Sequence, residues 1–228
     1  MTTETTNKII SLFQSNLKDK TCQEFLNKRH LTDDFLSLTK AGYINQYLAD
    51  SSLKKSTQSE IALLKEGQFR YQSHLVFPCY TFDGSFCGFI GRATFDTPFK
   101  FHLPEHVLFS KETYIHGFSN VNELSKFCFV TENMFEWGRI LQCGFPAVSL
   151  NGAYKSKFKL SILANRFEKL IIVADNDQAG FGLKDFIKQY LGELNRQVLF
   201  VEHKEKGLDE FFVANGKQAT TELLSNYI

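Results

Sequence analysis

The chain has 228 residues, of which 43% are hydrophobic, so it can bury the core of one domain or of two small ones. This composition excludes a largely disordered protein. The 26 lysines and arginines are balanced by 25 aspartates and glutamates. Any affinity for nucleic acid must therefore come from a local basic surface and not from an overall positive field.

The cysteines and the apolar runs narrow the class of protein further. The five cysteines form no CxxC pair and lack the histidine spacing of a structural zinc site, so we expect reduced thiols and no zinc. The N-terminus lacks the basic and then apolar pattern of a signal peptide, and no apolar run approaches the roughly 18 residues that span a bilayer. These features predict a cytoplasmic protein without membrane contact.

Residues 1–70 carry helical patterns. Apolar side chains repeat at helical spacing through NKIISLFQSNL, and Thr32 is a suitable N-cap for the helix that continues through DDFLSLTKAG to an end near Gly42. Thr57 and Glu60 have the spacing of a capping box, which predicts a further short helix.

From Ser73 the periodicity becomes that of strands. HLVFPCYTFDGSFCGFIGRATF contains two apolar runs around Asp83 and Gly84, a dipeptide that accepts the positive φ angles of a tight turn. This pattern predicts a β-hairpin. The following DTPFKFHLPEHVLFSKETYIHGF has no clear period and is expected to be a loop-rich connector that could carry a binding surface.

From Lys126 onward, short apolar strands alternate with helices. The strands are KFCFVTE, FPAVSL, EKLIIVAD and RQVLFVEH, and the helices are NMFEWGRILQCG, KSKFKLSILANRF, QAGFGLKDFIKQYLGELN and LDEFFVANG. Such alternation predicts an α/β fold with a mostly parallel sheet flanked by helices. The chain as a whole is then α+β, with residues 1–122 as a helical and hairpin subdomain and residues 123–228 as the sheet domain.

Carboxylates follow two of the predicted strands. Glu132 comes directly after KFCFVT, and Asp175 and Asp177 come at the end of LIIVA. Because functional side chains of parallel sheets lie at the carboxyl ends of the strands, these groups are expected to converge and to suit a hard divalent cation. Asp209, after the last strand, is a fourth candidate. Each residue also has a plainer interpretation, since acids at helix starts cap the helix or complement its dipole.

These motifs resemble the Toprim domain that bacterial-type primases, topoisomerases and some nucleases share. FVTENMFEWGRILQCGFPAVSLNGA and VADNDQAG are similar to the glutamate and DGDxAG segments of bacterial DnaG-type primases, with Asn176 in place of the usual glycine. FLNKRHLTDDFLSLTKAGY, LVFPCYTFDGSFCGFIGR, PFKFHLPEHVLFSKETYIHGF and GLDEFFVANG resemble further segments of that family. The similarity runs in order over residues 24–216.

The resemblance implies roles for the acidic residues. Glu132, Asp175 and Asp177 would be the catalytic acids, and Asp209 would join them in holding Mg2+ or Mn2+. Gly207 stands where the third acidic motif of the family usually has an aspartate, and Glu205 is a candidate replacement nearby.

The resemblance also implies a phosphate-binding surface. Arg92, Lys100 and Lys111 match basic residues of the family that are expected to hold template or nucleotide phosphates, which suits the chemistry of guanidinium and ammonium groups. A single lysine is otherwise usually solvated surface, so this interpretation depends on the motif.

The function that the resemblance implies is a nucleotidyltransferase, a DNA-directed RNA polymerase of the primase type. It would make short RNA primers on single-stranded DNA from nucleoside triphosphates. The absence of zinc-ribbon cysteines suggests a compact form from a phage, plasmid or other mobile element, with a replicative helicase or a separate template-recognition protein as partner.

Two alternatives remain open. A primase-like module that binds single-stranded DNA or a replication partner, with little polymerisation, is favoured by the glycine at position 207. A Toprim nuclease would use the same acids, but the primase-like segments upstream argue against it.

Overall fold

A computed structural model describes residues 3–45, 72–104, 109–152, 155–194 and 196–228. The chain forms two compact units, Met1–Phe109 and Ser110–Ile228. The boundary predicted after residue 122 falls later than this division, because the preceding residues pack with the second unit. His116 forms a β-bridge with Ser149, and Ile115 lies in the core of that unit.

The first unit begins with helices. They are α1 (Thr3–Ser15), a 3-10 turn (Asn16–Lys18), α2 (Lys20–Lys28) and α3 (Asp33–Thr39). Asp19 caps α2 by accepting a hydrogen bond from the Thr21 amide at 2.9 Å, and Thr32 caps α3 as predicted. The capping box predicted at positions 57 and 60 lies outside the described residues.

An antiparallel sheet completes the first unit. Its strands are β1 (Gly42–Ile44), β2 (His74–Tyr80), β3 (Phe86–Ala93) and β4 (Phe101–His102), in the order β1-β2-β3-β4. The predicted hairpin is confirmed as β2 and β3, with Gly84 at φ 81° in the turn. The short strands β1 and β4 were not predicted. Gly42 was expected near the end of α3, but it lies in β1. The chain passes close to α1 there, since a Cβ on Gly42 would be 2.6 Å from the Cβ of Phe13.

The second unit is the predicted parallel sheet with helices. Its strands are β5 (Phe127–Thr131), β6 (Ala147–Ser149), β7 (Lys169–Val173) and β8 (Gln197–Phe200), and its helices are α4 (Met134–Gln142), α5 (Lys157–Arg166), α6 (Gln178–Glu193) and α7 (Leu208–Ser225). The strand order is β6-β5-β7-β8, and all neighbours are parallel. The α/β fold class is confirmed.

The arrangement of the second sheet decides where its side chains meet. The apolar residues of β5 and β7 are buried, and Val130 and Ile172 contribute to one core with α5 and α6. Since β5 and β7 are neighbours, the residues that follow their carboxyl ends lie side by side. Helix α7 continues to Ser225 beyond its predicted end, across a kink at Gly216. None of the helices in the described ranges is long and apolar enough to cross a bilayer.

Candidate acidic metal site

Glu132 and Asp175 meet at the carboxyl ends of β5 and β7. The pairing of Thr131 with Val173 in the sheet brings the two following segments together. Oε1 of Glu132 accepts a hydrogen bond from the backbone amide of Asp175 at 3.0 Å. The structure therefore joins two of the predicted site residues directly, and it orients the glutamate towards the turn after β7.

Asp177 is the N-cap of α6. Its Oδ1 accepts hydrogen bonds from the amides of Ala179 at 3.1 Å and Gly180 at 3.0 Å, so the capping interpretation holds for this oxygen. Its Oδ2 lies 3.7 Å from Nζ of Lys206. Gly180 is required by the tight turn, because a Cβ there would be 2.0 Å from the carbonyl oxygen of Asp175.

Asp209 is held by an arginine. Its Oδ1 accepts a hydrogen bond from Nε of Arg139 at 2.9 Å, and both side chains are buried. The guanidinium also donates to Oε1 of Gln142 at 3.1 Å and lies over the ring of Phe212. The Asp209 carboxylate is thus engaged between α4 and α7. Sequence analysis missed Arg139, whose signal was a charged residue among the apolar side chains of Trp137, Ile140 and Leu141.

Glu136 is a further acidic residue that sequence analysis missed. It is fully buried in the first turn of α4, and its Oε1 accepts a hydrogen bond from the amide of Leu208 at 3.1 Å. Its Oε2 is buried without a hydrogen-bond partner in the described ranges. Burial, and then the negative charge of Asp175, raises the pKa of Glu136 well above its usual value. The signal was its position in the first turn of the helix that follows Glu132.

Gly207 explains how these carboxylates fit together. A Cβ on this residue would lie 2.6 Å from Oδ1 of Asp175, 3.0 Å from Oε2 of Glu210 and 3.1 Å from Oε1 of Glu136. Any side chain at this position would displace carboxylate oxygens. Of the glutamates near Gly207 in the sequence, Glu210 brings its carboxylate close to this glycine. Oε2 of Glu205, the candidate replacement, is buried without a hydrogen-bond partner in the described part of the chain.

The acidic residues repel one another. Burial, with the charges of Asp175 and Asp177 adding to it, raises the pKa of Glu132 to about 7, although the hydrogen bond from the Asp175 amide opposes the shift. Burial also raises the pKa of Asp175 itself, against a hydrogen bond from Glu136. A buried group of carboxylates of this kind is stabilised by a cation.

The donor chemistry of this group fits a hard divalent ion, because its free atoms are carboxylate oxygens and one of them, Oε2 of Glu136, is buried without a partner in the described residues. As the side chains stand, no three of the described histidine, cysteine, aspartate or glutamate residues form a ready coordination shell. The residues that could hold an ion are Glu132, Asp175, Asp177 through its Oδ2 and Glu136 through its Oε2.

Asn176 and Lys159 support the backbone around the acids. Nδ2 of Asn176 donates to the carbonyl oxygens of His203 at 2.7 Å and Glu205 at 2.8 Å, which ties the turn after β7 to the loop after β8. Nζ of the buried Lys159 donates to the carbonyl oxygen of Leu150 at 2.7 Å. Burial, and then the charge of Lys111, lowers the pKa of Lys159 to about 8.

The three predicted phosphate-binding residues do not form one cluster in either unit. Arg92 in β3 pairs with Phe101 of β4, and the amide of Ala93 donates to the carbonyl oxygen of Lys100 at 2.9 Å. Since side chains alternate along paired strands, Lys100 lies on the opposite face from Arg92. Lys111 belongs to the second unit, where it is exposed.

The chain is similar to known primases. No protein-family model matches it. A DNA primase of Thermotoga maritima is 25% identical over 230 residues, which cover 92% of this chain and 40% of that protein. A DNA primase of Clostridium acetobutylicum is 26% identical over 194 residues, covering 78% of this chain. This chain spans 40% and 32% of the lengths of these two relatives.

A solved structure of the DnaG primase catalytic domain bound to single-stranded DNA superposes with a TM-score of 0.77 and 18% sequence identity. The superposition covers 99% of this chain and 80% of the other. The order of the motifs, the parallel sheet and these similarities agree. The chain is therefore a DnaG-type primase core in fold and a sequence relative of the bacterial DNA primases.

Proposed function

We propose that this protein synthesises short RNA primers on single-stranded DNA from nucleoside triphosphates. The observation that carries the proposal is the contact between Glu132 and Asp175 at the adjoining ends of β5 and β7, within a group of carboxylates that repel one another. A bound cation stabilises such a group by neutralising its charge. The proteins to which the chain is similar in sequence are DNA primases.

Glu132, Asp175 and Oδ2 of Asp177 would hold Mg2+ or Mn2+. When bound, such an ion stabilises the negative charge that develops on the attacking and leaving oxygens of phosphoryl transfer. The amide of Asp175 orients Glu132, and Lys206 balances the charge of Asp177 from one side. Asp209 stabilises the fold around this group through Arg139, so we assign its carboxylate a supporting role.

The basic residues Arg92, Lys100 and Lys111 would bind the phosphates of template and nucleotide. A DnaG catalytic domain of the same fold has been solved with single-stranded DNA, which supports DNA as the template. The mobile-element origin, the cytoplasmic location, a helicase or template-recognition partner and the division of roles between residues 1–122 and 123–228 stay predictions.

The test is incorporation of labelled nucleotides on mixed-sequence single-stranded DNA with Mg2+ or Mn2+. We compare the wild type with Glu132→Gln and use Glu168→Gln as a matched control, because Glu168 is exposed and its Oε1 lies 3.3 Å from Nζ of Lys126. Labelled oligomers from the wild type and the control, but not from Glu132→Gln, would support the proposal. Equal synthesis by Glu132→Gln, with circular dichroism showing intact folds, would refute the assignment of the site.

A second candidate function is a binding module without synthesis. The engagement of Asp209 by Arg139 favours it, since Gly207 has no side chain and the carboxylate of Asp209 is held in an ion pair. This candidate predicts DNA binding by the wild type and no labelled product. A Toprim nuclease would instead shorten end-labelled DNA in the same reaction.

A further inference from the structure

Lys206 is held beside the acidic group by a neighbouring asparagine. The acidic group comprises Glu132, Glu136, Asp175 and Asp177. The backbone amide of Asn176 donates to the carbonyl oxygen of Lys206 at 2.6 Å, and Nδ2 of Asn176 donates to that of Glu205 at 2.8 Å. Asn176 stands between Asp175 and Asp177 in the sequence. These bonds therefore fix the backbone of Lys206 next to both aspartates.

The ammonium group of Lys206 approaches the oxygen of Asp177 that does not cap the helix. Oδ1 of Asp177 accepts amide hydrogen bonds as the N-cap of α6, whereas Oδ2 lies 3.7 Å from Nζ of Lys206. The same charge acts on Asp175, since burial raises the pKa of Asp175 and the charge of Lys206 is among the effects that oppose this shift. An ion bound at Oδ2 would therefore lie close to a positive charge of the protein itself.

A further cation of the protein engages a carboxylate on the side of α7. Nε of Arg139 lies 2.9 Å from Oδ1 of Asp209, and both side chains are buried. Gly207 has no side chain, and of the two acids in the first turn of α7 the other, Glu210, is exposed. A second ion on this side would have to compete with Arg139 for Asp209 or depend on an exposed glutamate.

We propose that Lys206 is a built-in cation of the acidic group, and that the group takes one divalent ion beside this ammonium. Sites with two ions use them to stabilise the attacking and the leaving oxygen of phosphoryl transfer. In this chain Lys206 would supply the second positive charge, because a lysine is a compact charge on a flexible stem. The inference rests on the proposed function and specifies the number of ions at its site.

A simple surface ion pair is the plainer explanation of the same contact. The side chains of Lys206 and Asp177 are 65% and 40% exposed, and exposed pairs contribute little to stability. The effect on a bound ion is different, since an ammonium repels a nearby divalent charge whatever it contributes to folding. The two explanations therefore differ in the metal affinity that they predict and not in the stability.

The experiment counts bound Mn2+ by electron paramagnetic resonance, because the sharp signal of the free ion is lost on binding. The full chain is titrated at low salt without nucleotide or DNA. Lys206→Gln removes the charge, and Lys204→Gln is the matched control, an exposed lysine of the same loop. Glu132→Gln reports whether the bound ion lies at the acidic group.

We expect the wild type to bind one Mn2+ per chain. Lys206→Gln should bind it about three- to tenfold more tightly, because Coulomb repulsion across several ångströms is removed. This gain should shrink at high salt, which screens exposed charges. Lys204→Gln should match the wild type, and Glu132→Gln should bind the ion more weakly or not at all. Urea unfolding should show equal stability for Lys206→Gln and the wild type, since the pair is exposed.

Several outcomes would overturn the inference. They are two bound Mn2+ per wild-type chain, unchanged or weaker binding by Lys206→Gln, an equal gain in Lys204→Gln, and no binding by either the wild type or Lys206→Gln. Primer synthesis, assayed separately, keeps this result distinct from the proposed function. Synthesis that needs Glu132 but accompanies two bound ions would leave the function intact and reject the built-in cation. One bound ion, tighter in Lys206→Gln, without any synthesis would do the reverse.

Discussion

Nε of Arg139 and Oδ1 of Asp209 are 2.9 Å apart in a buried ion pair that joins α4 to α7. Both helices begin at the carboxyl end of the parallel sheet, where Glu136 in the first turn of α4 accepts the amide of Leu208 in the first turn of α7. The ion pair and this hydrogen bond together fix the start of α7 beside the acidic residues.

Removing the anion of this pair should destabilise the fold. We expect Asp209→Ala to lower the free energy of unfolding by about 3–5 kcal/mol, because Arg139 would remain buried without its counter-charge. Asp209→Asn keeps an acceptor and should cost less. Urea unfolding at pH 7 measures the free energy of unfolding of both variants. The control is Asp185→Ala on the exposed face of α6. A fully stable Asp209→Ala variant that has lost metal binding would instead make Asp209 a metal ligand.

Gly207 should not tolerate even a methyl group. In Gly207→Ala the new Cβ would lie 2.6 Å from Oδ1 of Asp175, so this carboxylate must move. We expect loss of metal-dependent stabilisation and of synthesis. The control is Gly192→Ala in α6, where a Cβ would meet no described atom within 4 Å. Because alanine favours the helix, this substitution should raise the free energy of unfolding by up to about 1 kcal/mol. If Gly207→Ala made primers as well as the wild type does, the close packing of the carboxylates around Gly207 would be contradicted.

His116 should make the protein less stable in acid. It is fully buried, next to the Tyr114 hydroxyl and the Trp137 ring, and burial lowers its pKa from 6.5 to about 3. The unfolded chain therefore takes up a proton below about pH 6.5 that the folded chain refuses until about pH 3. This residue contributes stability above pH 6.5 that is lost as the pH falls, by at most about 1.4 kcal/mol per pH unit.

The carboxylates act in the opposite direction, so the comparison must isolate the histidine. Because the pKa of Glu132 is raised to about 7, protonation of this group in the folded state adds stability as the pH falls. We therefore measure the difference in the free energy of unfolding between the wild type and His116→Gln from pH 7 to pH 4. The advantage of the wild type should shrink over this interval, and a constant difference would show that His116 has the same pKa in the folded and the unfolded chain.

Adding Mg2+ or Mn2+ should raise the temperature of unfolding of the wild type, since a ligand that binds only the folded state stabilises it by about 2.7 kcal/mol at 100 times its dissociation constant. In Asp175→Asn the stabilisation should be smaller or absent, because one charge of the group is lost. The control is Asp34→Asn, an exposed acid in α3 of the first unit. An equal shift in both variants would place ion binding elsewhere.

Most elements of the fold could be predicted from the sequence. Alternating apolar strands and helices after Lys126 predict a parallel sheet, because strands covered on both faces must be apolar throughout. The Asp-Gly turn predicts the hairpin, since few other dipeptides accept its φ angles. The short strands β1 and β4 escaped prediction, because three and two residues carry too little periodicity to distinguish them from loops.

The candidate site was predicted in part. Glu132, Asp175 and Asp177 were identified because each follows an apolar run, and sheet topology turns that local position into proximity. The ion pair of Arg139 with Asp209 and the place of Glu136 among the acids could not be predicted, because both depend on contacts between helices far apart in sequence. Nor could the sequence show that Lys100 faces away from Arg92, since the register of a short edge strand depends on backbone pairing and not on the pattern of side chains.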